Sequence, residues 1–135
     1  MERLLVKNAQ ILTEDDYFKG WVLAEDGRIT ALGSAEEFPA ADRVIDAGGL
    51  TLLPGGVDPH VHIRYPGGAH RETFVTGTAA AAAGGVTTII EHPISTPPQY
   101  SPETLAPRVA AVGEQAIVDV AFLGAAGGKH IEEIG

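Results

Sequence analysis

The residues of this sequence that could do chemistry stand at every second position of one short segment: Asp58, His60, His62 and Arg64. Side chains of an extended strand alternate between two faces, so these polar groups would share one face. Two neutral imidazoles at this spacing can present ring nitrogens to the same divalent cation. The pattern therefore predicts that His60 and His62 are metal ligands. Asp58 would orient Arg64 or one of the histidines.

Simpler interpretations of the same residues remain open. The segment could be a solvated edge strand with two incidental histidines, and Pro59 within it removes one backbone donor. Arg64 could be structural, paired with one of three acidic residues: Asp58, Glu72 or Glu91. His92 could line the pocket and bind substrate, supply a hydrogen bond behind the metal ligands, or simply be packed. We expect His70 and His130 at the surface.

The segment that follows Pro54 has the texture of alternating strands and helices. We predict these elements in chain order: a strand over Val57–Ile63, a helix over Glu72–Ala83, a strand over Val86–Glu91, a helix from Ser101–Pro102 to about Gln115, and a strand over Ile117–Leu123. The second helix should bury Leu105, Val109 and Val112, which recur at helical spacing. This order is typical of βαβ units in a parallel sheet, and it places the histidine segment where α/β barrels build their sites.

The preceding segment is different, because short apolar runs alternate with turn signals. From about Leu4 to Ile45 we expect a small antiparallel β unit, with a hairpin at Asp26-Gly27. Arg43–Asp46 adds a further strand. The change of sequence pattern after residue 53 thus predicts two domains, residues 1–53 and residues 54–135.

Composition excludes several classes of function. The 135 residues include 18 acidic and nine basic side chains, for a formal net charge of -9, which disfavours nucleic acid and anionic membranes as partners. The absence of cysteine excludes disulfides and thiolate metal sites. Neither a signal-peptide core nor a membrane-spanning run is evident, so we expect a cytoplasmic protein.

Three segments together resemble the cyclic amidohydrolases, the group of dihydroorotase, allantoinase and hydantoinase/dihydropyrimidinase. They are Pro54–His62, Phe74–Ala83 and Gly84–Ile90. The resemblance implies an α/β fold in which strands of a small β-sandwich precede a TIM-like (β/α)₈ barrel. A barrel of about 250 residues cannot be completed within this chain.

The same resemblance implies a divalent metal site, zinc and binuclear in the complete enzyme, with His60 and His62 as the first ligands. The reaction would be hydrolysis of a cyclic amide C–N bond by a metal-activated hydroxide. The bridging carboxylated lysine, further histidines and a late aspartate of the family would follow Gly135, and Lys129 lies too early to be that lysine. We therefore assign no catalytic residue within this chain and expect the isolated chain to be inactive.

The sequence leaves the identity of the cyclic substrate open. His60-x-His62-x-Arg64 is similar to the dihydroorotase motif, in which the arginine binds the substrate carboxylate. Dihydroorotases add an asparagine where this chain has Ile94, and the loop from Pro93 to Pro98 is closer to allantoinases. A hydantoinase-type enzyme, a non-catalytic scaffold that retains the fold, and a metal-binding module without hydrolysis are alternatives. The complete protein is expected to be a homo-oligomer, a dimer or a tetramer.

Overall fold

The computed structural model describes residues 2–34 and 36–127. The chain forms two compact units, Met1–Pro54 and Gly55–Gly135. The predictions made for Lys129 and His130 lie outside the described residues. None of the helices in the described ranges has the length and apolar composition needed to cross a membrane.

The first unit is a five-stranded sheet in which β1 is central. Its strands are β1 (Arg3–Leu12), β2 (Tyr17–Glu25), β3 (Arg28–Gly33), β4 (Arg43–Asp46) and β5 (Thr51–Leu52). The order is β3-β2-β1-β4, with β5 also paired to β1. β1, β2 and β3 pair antiparallel as expected, but β4 and β5 run parallel to β1. The prediction of an all-antiparallel unit is therefore wrong for the part after β3.

The predicted hairpin joins β2 to β3. Glu25 pairs with Arg28, and the two residues between them, Asp26 and Gly27, have φ values of 47° and 78°. Positive φ at both positions defines the turn whose twist matches that of the flanking strands. Gly27 adopts this conformation without a Cβ clash, which explains why the chain reverses here.

A bulge in β1 is tied to β4 by side-chain hydrogen bonds. The pairing of β1 with β2 shifts between Val6 and Ala9, where Asn8 has a φ of 55°. The Asn8 amide donates to both carboxylate oxygens of Asp46, at 3.0 and 2.9 Å. The Asp46 carboxylate also accepts from the backbone N–H of Gly48 at 3.0 Å. At the bulge, the Asn8 side chain thus hydrogen-bonds to β4, the parallel neighbour of β1.

The second unit carries three parallel strands and two helices. Its elements are β6 (Gly56–Val61), α1 (Phe74–Ala83), β7 (Val86–Glu91), α2 (Pro102–Gln115) and β8 (Asp119–Phe122). Among the described residues the sheet order is β6-β7-β8, with all pairs parallel. The predicted strand–helix alternation is confirmed, with β6 and β8 shorter than expected.

Local capping explains where the two helices begin. α1 starts two residues later than predicted, because Thr73 is its N-cap and exchanges hydrogen bonds with Thr76. α2 begins as predicted, with Ser101 as N-cap and Pro102 in the first turn. Both caps place the helices so that they follow the ends of β6 and β7.

The core of this unit is built around Ile63, Phe74 and Ile89, each no more than 2% exposed. The Phe74 ring contacts those of Tyr65 and Phe122, with centroids 5.7 and 6.0 Å apart. The helix face predicted for α2 is partly wrong, since Val109 is 50% exposed and Arg108 is buried instead. The residue that directly follows His62, Ile63, is therefore part of this core.

Candidate metal centre

The two histidines of the predicted metal pair converge at the end of β6. Their Nε2 atoms are 3.1 Å apart, and their ring centroids are 5.0 Å apart. Two nitrogen ligands on a tetrahedral zinc ion, each about 2.0–2.1 Å from the metal, would be separated by about 3.3 Å. The 3.1 Å separation of the His60 and His62 nitrogens is that of a hydrogen bond, and it lies within about 0.2 Å of the spacing on a shared zinc ion.

The alternation that suggested this convergence holds only in part. β6 ends at Val61, and its register against β7 shifts between Asp58 and Val61. Arg64 has a φ of 62°, in the left-handed region, so the chain has turned away from the strand by that residue. The shared direction is therefore a property of the two histidines and does not extend along the whole motif.

His62 favours the neutral form that a metal ligand needs. Burial lowers the pKa of His62 below its ordinary value, and the nearby charges of His60 and Arg64 lower that pKa further. The Nδ1 atom of His62 is buried and has no hydrogen-bond partner within residues 2–34 and 36–127. A neutral ring with its Nε2 facing His60 fits the donor chemistry of a zinc site.

His92 joins the two histidines as a packing partner. Its ring stacks on His60, with centroids 3.8 Å apart and an interplanar angle of 12°. The Nε2 atom of His92 lies 3.1 Å from the carbonyl oxygen of Pro59. No cluster of three His, Cys, Asp or Glu side chains able to hold a metal is found in the described part of the chain. His60 and His62 would thus supply two of the four ligands that zinc usually takes.

Asp58 contacts the backbone of its own strand. Its Oδ1 atom accepts the N–H of His60 at 3.0 Å. This hydrogen bond constrains the bulged part of β6 rather than an imidazole ring or the Arg64 guanidinium. The role of Asp58 behind the metal ligands stays a prediction.

Arg64, two residues after His62, lines a cavity. The cavity has a volume of about 220 Å³, and its other polar side chains are those of His70, Arg71, Ser95 and Thr96. His70 is exposed, as expected. The lining combines cationic groups with two hydroxyls, a set that suits an anionic oxygen-rich group. The predicted substrate-binding role of Arg64 is compatible with this position and stays a prediction.

Glu91 and Arg108 were missed as parts of the site. The Glu91 carboxylate accepts the backbone N–H groups of Ile63 and Arg64, at 2.8 and 3.0 Å, and the Arg108 guanidinium donates to it at 2.5 Å. Glu91 therefore contacts the backbone of Arg64 rather than its side chain. One signal was present in the sequence, because Leu105, Arg108 and Val112 share a helical spacing.

Comparison with protein families settles the membership of the chain. The model of the amidohydrolase family matches residues 51–130, more than half of the sequence. The chain belongs to the amidohydrolase family. The match includes β6, both helices and the histidine pair.

Individual relatives of the amidohydrolase family agree with this assignment. The chain is 35% identical over 134 residues to a dihydroorotase from Methanosarcina acetivorans, covering 99% of this chain and 28% of that protein. It is 37% identical over 133 residues to an allantoinase from Streptomyces avermitilis, covering 97% of this chain and 30% of that protein. The resemblance to the cyclic amidohydrolases is thereby confirmed.

A solved structure extends the similarity to the fold. An L-hydantoinase (dihydropyrimidinase) from Arthrobacter aurescens superposes with a TM-score of 0.92 at 34% identity, over 99% of this chain and 30% of that one. The predicted α/β class, with the start of a TIM-like barrel after a small β unit, is confirmed. The chain spans 28% to 30% of the length of these relatives. The division into a β-sandwich portion at residues 1–53 and a barrel portion at 54–135 stays a prediction.

Proposed function

We propose that the intact natural polypeptide containing these residues hydrolyses the amide C–N bond of a cyclic amide or ureide, with His60 and His62 as ligands of a divalent cation, zinc. The observation that carries this proposal is the 3.1 Å approach of the two Nε2 atoms at the end of a parallel strand. Family membership supports it, because the relatives are named dihydroorotase, allantoinase and hydantoinase. His60 and His62 would hold the cation, which would supply polarisation of the ring carbonyl and activation of water.

The residues of this chain would bind and orient rather than transfer protons. His60 and His62 would hold the cation, and the His92 ring would keep His60 in place by stacking at 3.8 Å. Arg64 would bind the polar edge of the ring from the cavity that it lines. Two ligands leave the site incomplete, so we expect the 135-residue chain alone to be inactive.

Among the rings, the cavity favours a substrate with an anionic group. Arg64 and Arg71 both line it, and a guanidinium can hold a carboxylate through two parallel hydrogen bonds. Dihydroorotate carries such a carboxylate, so a dihydroorotase-like reaction is the first candidate. An allantoinase- or hydantoinase-type reaction is the second, favoured by the TM-score of 0.92 to L-hydantoinase. The homo-oligomeric state and cytoplasmic location stay predictions.

The decisive experiment measures zinc content and hydrolysis of dihydroorotate, allantoin and hydantoin by the intact polypeptide. His60→Ala should reduce both zinc affinity and hydrolysis by more than about 100-fold, the upper end of the loss seen when groups behind metal ligands are removed. Val57→Ala on the same strand is the matched control, because valine carries no group that could bind a metal, and it should change neither.

Arg64→Gln distinguishes the rings. It should raise KM for dihydroorotate by at least about tenfold, because each lost charged hydrogen bond costs roughly 1.5–3 kcal/mol, and should affect uncharged rings less. A zinc-loaded polypeptide that hydrolyses none of the three rings would contradict the enzyme and favour a scaffold. Full activity of His60→Ala would contradict the metal centre.

A further inference from the structure

We infer that the buried ion pair of Glu91 and Arg108 positions the metal centre by holding the backbone turn that directly follows His62. The pair lies outside the set of proposed ligands, and its hydrogen bonds go to backbone amides and to each other. Its effect on metal binding rests on the proposed function, whereas its effect on the backbone does not.

The first step is the geometry of the carboxylate. Glu91 is the last residue of β7 and is fully buried. One of its oxygens accepts the N–H of Ile63 at 2.8 Å, and the other accepts the N–H of Arg64 at 3.0 Å. Arg64 occupies the left-handed region with a φ of 62°, which costs a non-glycine residue about 1–2 kcal/mol. The carboxylate thus holds two successive amides in a turn that the chain would otherwise avoid.

The second step is the charge that keeps this carboxylate in place. A lone buried carboxylate is costly, and the Arg108 guanidinium, 1% exposed, neutralises it. The guanidinium also lies over the rings of Phe74 and Phe122, at 5.8 and 5.2 Å from their centroids. Helix α2 is thereby connected to the end of β6 through the end of β7.

The third step is the orientation of the His62 ring. Metal-binding histidines usually donate their second ring nitrogen to a carboxylate or carbonyl, which fixes the ring. Within residues 2–34 and 36–127, the Nδ1 atom of His62 has no such partner. The ring is held by its contacts with His60 and His92 and by its backbone. On the backbone side the adjoining residue, Ile63, is held by Glu91 and by burial at 1% exposure.

Stability alone does not account for the pair. A buried ion pair contributes little net stability compared with apolar side chains of similar size. Two further guanidinium nitrogens of Arg108, Nε and one terminal nitrogen, are buried without a partner among the described residues, which adds a cost. An apolar pair of similar size could not accept hydrogen bonds from the amides of Ile63 and Arg64, as the Glu91 carboxylate does.

The test separates positioning from stability in the intact polypeptide. Glu91→Gln should accelerate hydrogen exchange of the Ile63 and Arg64 amides in the metal-free protein by at least tenfold. In the same variant zinc affinity should fall by about 10–100-fold, the usual effect of removing a group behind a metal ligand. The double variant Glu91→Gln/Arg108→Met removes the uncompensated cation, so it should regain thermal stability without regaining zinc affinity.

Ile11→Ala is the matched control, because Ile11 is 3% exposed within the first unit and its truncation lowers the stability of that unit. It should lower the Tm while leaving zinc affinity and the two amides unchanged. Wild-type zinc affinity and unchanged exchange in the double variant would overturn the inference. If the wild-type protein bound no zinc, the proposed function would fail, and the exchange rates would still decide whether Glu91 holds the turn.

Discussion

The two units of this chain bury different kinds of side chain. Within the described residues, the buried apolar core of the first unit consists of Leu5, Ala9, Ile11, Val22 and Leu23. Its ion pairs are half-buried for Arg3–Glu25 and more exposed for Lys7–Asp46 and Arg43–Glu2. The second unit has a buried apolar core of Ile63, Phe74 and Ile89, and it also buries Thr78, Glu91, Gln99 and Arg108.

This difference separates two uses of burial. Apolar side chains stabilise a fold roughly in proportion to the area they remove from water, whereas buried polar groups must be matched by partners. The first unit uses burial for stability. The second unit also uses it to hold backbone amides and a helix at defined places near the histidine pair. Three pairs of substitutions test this contrast, and they follow in decreasing order of expected effect.

The largest effect on stability is expected in the apolar core of the second unit, which has few buried residues. Phe74→Ala should lower the free energy of unfolding by about 3–5 kcal/mol, because it empties a site that is fully buried. Val75→Ala, at a neighbouring position that is 53% exposed, should change it by no more than about 0.5 kcal/mol. Urea unfolding of the intact polypeptide measures both. A loss below 1 kcal/mol for Phe74→Ala would show that the core does not depend on this ring.

A smaller effect of opposite sign in the two units is expected from one kind of substitution. Gly27→Ala should destabilise the first unit by about 1 kcal/mol, because its φ of 78° is unfavourable for alanine. Gly113→Ala should stabilise the second unit by about 0.5–1 kcal/mol, since Gly113 lies within α2 with open space around it. Thermal unfolding of each variant checks the signs. Equal signs would contradict the assigned backbone conformations.

The smallest effect concerns the exposed carboxylate of the first unit. The side-chain hydrogen bond from Asn8 lowers the pKa of Asp46 below its ordinary value, and the Gly48 N–H and Lys7 lower that pKa further. A carboxyl whose pKa is lowered in the folded state contributes stability above its ordinary pKa of 3.8, and this is lost as pH falls through the lowered value. Asp46→Asn should therefore flatten the decline in stability below about pH 4.

Asn8→Ala, which removes the largest cause of the lowered pKa, should reproduce part of that flattening. Stability measured by urea unfolding between pH 2 and pH 5 gives the comparison. An unchanged decline in both variants would mean that Asp46 does not contribute to acid sensitivity.

Features with local causes were predictable from the sequence. The hairpin follows from Asp26-Gly27, and the start of α2 follows from Ser101-Pro102, because each signal acts within a few residues. The convergence of His60 and His62 was predicted from the strand period of two. Thr73 displaced the start of α1 because its hydroxyl made a better cap than the residues before it.

Features that depend on distant partners were not predictable. The strand signal of Arg43–Asp46 does not reveal that it pairs parallel with β1, because the choice of partner is a tertiary property. The left-handed turn at Arg64 depends on a carboxylate 27 residues away, and the burial of Arg108 depends on the same group. A charged residue is usually predicted to lie at the surface, because most charged side chains do. Burial of an ion pair can be predicted only when the positions of both partners are known.

The position of β1 between β2 on one side and β4 and β5 on the other has a consequence for folding kinetics. Val6 pairs with Val22 and also with Ile45, so the same strand joins a nearby hairpin to a segment much later in the chain. The hairpin can form early from local contacts, but the parallel pairing must await closure of a long loop, which slows folding. During synthesis the amides on one side of β1 would therefore remain open to solvent until Arg43–Leu52 has left the ribosome.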